Sequence, residues 1–167
     1  MNLAPLSVPE IALAIGLGIA CYTDLTRWKI PNVLNLALVV VGIVLHVALG
    51  QWKVALFGFS SAFTLHFLLW QLGVVKGGDA KLMIGLGALV GWSDMLETTL
   101  WQFVLLIPVG LSFLLAKGRL HHAIATFLRT RAGETTADDK LTYMPFAPVI
   151  TAGWIAARLT DWFLVWK

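Results

Sequence analysis

Two aspartates, Asp24 and Asp79, stand at the ends of apolar stretches in a chain that is otherwise sparing with charge. Asp24 lies in Thr23-Asp24-Leu25-Thr26-Arg27, and Asp79 in Lys76-Gly77-Gly78-Asp79-Ala80-Lys81. Two carboxylates that meet at one membrane face can share a proton. One can then protonate a reacting group while the other deprotonates water, which is the minimum equipment for hydrolysing a peptide bond. An acidic residue beside an apolar segment is ordinarily just solvated, and Asp94, Glu97 and Asp138 read that way. Asp161 reads as an ion-pair partner of Arg158, three residues earlier on one helical face. The first two aspartates differ in their setting. Gly77-Gly78 lets backbone approach backbone just before Asp79. Asp24 is followed by Ile30-Pro31-Asn32, in which Pro31 suits the first turn of a new helix.

The elements that must position them follow from composition. Of 167 residues, 59% are hydrophobic and 13% charged, and the mean hydropathy is +0.83. Soluble domains carry roughly a quarter charged residues, so this chain belongs in a membrane. The net charge of +3 does not point to nucleic acid, because the basic residues fall in short loops rather than along a polar stripe. A single cysteine, Cys21, excludes a disulfide within the chain and a four-cysteine zinc cluster. Met1 to Pro9 has no basic region of a signal peptide, so the first apolar run reads as a retained span.

Apolar runs long enough to approach the roughly 20 residues of a membrane crossing fall at about 6–23, 33–50, 54–72, 82–97, 98–116 and 145–166. The expected fold is an all-α membrane protein, a single domain over 1–167 built as a polytopic bundle of about six transmembrane helices. Between the fifth and sixth spans, Leu120, Ile124, Phe127 and Leu128 recur at helical spacing among Arg119, His121, His122, Arg129 and Arg131. That pattern predicts an amphipathic interfacial helix lying against anionic membrane lipids.

Orientation follows from the lysines and arginines. With the 24–32 loop inside, that side holds Arg27, Lys29, Lys76, Lys81, Lys117, Arg119, Arg129, Arg131 and Lys140, nine of twelve basic residues. The other side keeps Lys53 and Lys167, with Arg158 inside the last span. The positive-inside rule then puts the N-terminus outside and both aspartates at the cytoplasmic face. Tryptophan agrees: Trp28 and Trp70 fall at the inner interface, Trp52, Trp92, Trp101, Trp162 and Trp166 at the outer, and Trp154 deeper.

Asp24 with Ile30-Pro31-Asn32, then Gly77-Gly78-Asp79-Ala80-Lys81-Leu82, then Met144-Pro145-Phe146-Ala147-Pro148 before a final span, together resemble the type IV prepilin peptidases. These are membrane aspartic proteases of the Gly-x-Gly-Asp class, and the resemblance covers roughly residues 10–165. It implies removal of the short basic leader from prepilins or pseudopilins at the cytoplasmic face of the bacterial inner membrane. It also implies Asp24 and Asp79 as the catalytic pair, no metal, no cofactor, and a pilus-assembly or secretion machine as partner. Gly77, Gly78, Lys81, Pro31 and Asn32 are the expected active-site loop and substrate-binding residues.

The chain departs from the family twice. Lys76 stands where the motif's first glycine falls. The paired Cys-x-x-Cys motifs of the longer members are missing, so the chain resembles the short, peptidase-only members of tight-adherence (Flp-type) pilus systems, and no N-methyltransferase activity is expected. Two other classes fit less well. A proton- or cation-coupled carrier calls for mid-span carboxylates and broken helices, whereas these aspartates sit at segment ends. An inactive pilus-assembly scaffold would keep the fold, with Lys76 as its only support.

Of the remaining polar residues, Asn35 reads as a polar contact inside the bundle. His46 and His66 read as hydrogen-bonded structural groups, and the adjacent His121-His122 rings diverge on a helix and make a poor metal site. Gly85 and Gly87 read as places of close helix packing.

Overall fold

The structure, a computed structural model, describes residues 5–116, 118 and 145–160. These residues form five helices: α1 (Val8–Arg27), α2 (Asn32–Ala48), α3 (Trp52–Gln71), α4 (Gly77–Ala116) and α5 (Ala147–Thr160). Three of them, α1, α3 and α4, are long and apolar enough to cross a membrane, and α2 is a shorter apolar helix. Among the described residues the secondary structure is all helical. The segment expected to form the amphipathic helix, and Asp161, Trp162 and Trp166, lie outside the described residues.

Local chemistry sets the helix ends. Ser7 and Glu10 open α1 as a capping pair, with the Ser7 N–H donating to Glu10 Oε2 at 2.7 Å. The helix closes at Trp28, which adopts a left-handed conformation (φ 54°, ψ 30°) and returns its N–H to the Asp24 carbonyl. Pro31 caps α2, and its carbonyl accepts the N–H groups of Leu34 and Asn35.

The expected boundary between a fourth span ending at 97 and a fifth starting at 98 moves. The break comes at Gly91, where φ 86° and ψ 179° suit only glycine. Contacts with α3 show the direction of each arm. Before the break, Gly77 lies by Trp70 and Gly87 by Gly58, so that arm runs antiparallel to α3. After it, Gly91 lies by Gly58 while Thr99 reaches His66, so the second arm runs parallel to α3. The chain therefore folds back at Gly91. Asp94 and Glu97 accordingly belong to a packed helix rather than a solvated loop, and Glu97 is buried.

The core gathers Leu13 and Leu17 of α1, Leu38 of α2, Leu82, Met83, Leu86, Leu89 and Met95 of α4, and Ile150 and Trp154 of α5. α4 is the central element, packed most extensively on α3, then α5 and α2. Small residues let the backbones close in: a Cβ on Gly42 would lie 2.7 Å from the Ala88 carbonyl oxygen, and one on Gly85 2.8 Å from Leu38 Cβ. The outward faces stay apolar, with Ile11, Ile15, Val33, Leu36, Val40 and Phe57 exposed. A face of that kind fits lipid rather than water.

The two buried histidines each meet a backbone carbonyl. His46 Nε2 contacts the Leu89 carbonyl at 2.9 Å, and His66 lies between the Ala62 carbonyl and the Thr99 hydroxyl. Arg158 pairs with Glu10 across the α1–α5 contact, while its expected partner Asp161 lies outside the described residues. The Glu10 end of α1 is therefore opposite the Asp24 end.

Candidate active site

Four chain segments converge at the Asp24 end of the bundle: the last turn of α1, the turn into α2, the first turn of α4 and the start of α5. They border an open cavity of about 260 Å³ that both Asp24 and Asp79 line. The sequence separates the two carboxylates by two apolar helices; the antiparallel return of α2 and α3 brings them to one place.

Asp24 occupies the last turn of α1 and is 7% exposed. Its Oδ2 accepts hydrogen bonds from the backbone N–H groups of Phe146 at 2.7 Å and Ala147 at 2.9 Å. Those amides open α5, where the first turn of a helix has N–H groups without intrahelical acceptors and carries partial positive charge. Asp24 thus docks the start of α5 onto the end of α1.

Asp79 lies in the polar first turn of α4, ahead of the apolar run that begins at Leu82, and is 6% exposed. Burial pushes its carboxyl up from 3.8 to about 6, and the negative Asp24 adds to the rise. Lys76, by its charge and by a backbone hydrogen bond, pulls the other way without reversing the outcome. Asp79 therefore keeps its proton into the weakly acidic range.

The other expected site residues divide. Gly77, Gly78 and Asn32 line the cavity with the aspartates. Pro31 does not line it and acts one step back, as the cap of α2. Lys81 does not line it either; its Nζ donates to Asn32 Oδ1 at 3.0 Å.

Five lining residues were not among the expected site residues: Trp28, Lys29, Ile30, Lys76 and Phe146. The first three follow from the left-handed turn at Trp28, which folds the chain back under α1. Nothing in the local sequence signals that turn, because Trp is an unusual residue there. Phe146 was visible as part of Pro145-Phe146-Ala147-Pro148, and the motif's contribution is two backbone amides that no residue type advertises. Among the described residues, no group of three or more His, Cys, Asp or Glu is arranged to hold a metal.

Among the described residues, an all-helical apolar bundle brings two buried carboxylates with different partners into one cavity, an arrangement capable of acid–base chemistry. Residues 11–111, more than half of the chain, match the model of the type IV leader peptidase family. The chain belongs to that family, and the membership supports a peptidase. Neither curated proteins nor solved structures contain a match to it.

Proposed function

We propose that the chain is an aspartic endopeptidase that removes the leader from prepilins or pseudopilins at the cytoplasmic face of the inner membrane. The observation that carries this reading is the shared cavity, in which a carboxyl that holds a proton in the weakly acidic range, Asp79, accompanies a carboxylate gripped by two amides, Asp24. Protonated Asp79 donates to the scissile carbonyl oxygen. Asp24 takes a proton from the attacking water as its oxygen bonds to the carbonyl carbon. Collapse of the tetrahedral intermediate breaks the C–N bond, the proton held on Asp24 passes to the leaving amine, and the new carboxyl group returns a proton to Asp79.

In this reading the two arms of α4 and helices α1, α2, α3 and α5 make six passes, and the two passes of α2 and α3 return Asp79 to the same basic, cytoplasmic side as Asp24. The reading is of a peptidase without methylating activity, acting on a substrate whose apolar segment lies in the bilayer and whose basic leader emerges at the site. In membranes or detergent, Asp24→Asn and Asp79→Asn should each abolish removal of the leader from a prepilin-like substrate while leaving insertion intact. Cleavage persisting in either variant sinks the pair.

A further inference from the structure

Asn35 lies one turn inside α2 and is 4% exposed. Its Nδ2 donates to the Gly78 carbonyl at 3.4 Å, and its Oδ1 has no hydrogen-bond partner among the described residues. A short side chain spans this gap because the two helix backbones close in at the Gly85–Leu38 crossing. Three residues further along α4, Lys81 bonds to Asn32. The first turn of α4 is therefore tied to α2 on both sides of Asp79.

The two ties differ in kind. Lys81–Asn32 is exposed and contributes little. Asn35–Gly78 is buried, and the orphaned Oδ1 makes the amide a worse core residue than a leucine of similar volume. At 3.4 Å the bond is near the long end of the range, so it orients more than it stabilises. A buried amide that costs stability and touches the peptide before a functional carboxyl is explained by placement.

We propose that Asn35 is a positioning residue for Asp79, its amide holding the Gly78 carbonyl and so fixing the turn that carries the Asp79 carboxyl into the cavity. The proposal rests on the peptidase reading only for its effect on catalysis. The groups around Asp79 are Asp24 from α1, Lys29 from the turn after it, Lys76 from the turn before α4, and Lys81 on its own helix held by Asn32. α3 brings Trp70 to Gly77, and the start of α5 brings Phe146. Without the Asn35 donor, the turn relaxes away from Asp24 and towards water.

The test uses the full chain in detergent with two variants. Asn35→Leu removes the donor at similar volume, and Asn35→Asp keeps the shape but turns an acceptor towards the Gly78 carbonyl. With a prepilin-like peptide, kcat should fall about 10-fold or more in both, with KM changed less than about 2-fold, because a misplaced reacting group lowers turnover. Asn35→Gln, which keeps an amide, should recover part of the loss. A second readout needs no turnover. The thermal midpoint is compared with and without Asp79→Asn across pH, which reports the ionisation of Asp79. In the Asn35→Leu background its transition should move down from about 6 towards the ordinary carboxylate range. A drop in stability with that transition and kcat unmoved overturns the proposal and leaves Asn35 merely structural. A moved transition in a protein that cleaves nothing upholds the positioning role and removes the peptidase reading instead.

Discussion

Replacing Asp79 by Asn should stabilise the protein, and by an amount that depends on pH. The buried carboxyl is raised from 3.8 to about 6, so the folded chain holds the proton more tightly than the unfolded chain does. The sign follows by linkage: wild-type stability from this group is fully present below about pH 4 and is lost as pH rises to about 6. At about 1.4 kcal/mol per pH unit, the loss comes to roughly 3 kcal/mol, an upper figure because the cavity is open to solvent. Asn has nearly the same shape and does not titrate, so Asp79→Asn escapes the loss. Its advantage over the wild type should grow between about pH 4 and 6, then hold steady to about pH 8. For a chain of this size that is roughly 5–10 °C in thermal midpoint, measurable by fluorescence of its 8 tryptophans in one detergent at matched ionic strength. A constant difference across that range, or a wild type that gains on the variant as pH rises, would refute the idea that Asp79 is desolvated beside a second carboxylate.

The same proton governs turnover: cleavage of a prepilin-like peptide should decline on the alkaline side with a midpoint at about 6 or above, since bound substrate excludes further water from Asp79. A rate that climbs steadily from pH 5 to 9 would contradict that role. At the α3–α4 crossing, a Cβ on Gly58 would strike the Gly87 carbonyl and lie 2.8 Å from Gly91 Cα, so Gly58→Ala should cost about 1–3 kcal/mol, read as a lowered thermal midpoint. At the far end, Glu10→Gln breaks the partly exposed pair with Arg158. It should cost about 1 kcal/mol or less and leave cleavage within 2-fold, as expected of a contact remote from the cavity.

Much of the molecule could be read before any fold was known. Hydropathy alone separates the apolar segments, because a bilayer demands continuous apolar length. Gly77-Gly78-Asp79 and Asp24 with Pro31-Asn32 stand out because glycine and proline at helix starts report backbone demands that are local. Helix boundaries also came within a few residues for α1, α2 and α3. Asp94 and Glu97 were misread for the same local reason: acids between two apolar runs suggest a loop, and nothing nearby shows that Gly91 supplies the turn earlier.

What required the tertiary structure was every relation between distant segments. The meeting of Asp24 and Asp79 depends on α2 and α3 returning the chain to one end. The capture of Asp24 by the amides of Phe146 and Ala147 depends on α5 docking there, and backbone donors carry no residue identity. Lys81 lies two positions from Asp79 in sequence yet bonds to Asn32, since its position in the helix turns it towards α2. Sequence names which side chains can exchange a proton; only packing decides which of them is dry enough, and close enough to another charge, to hold one.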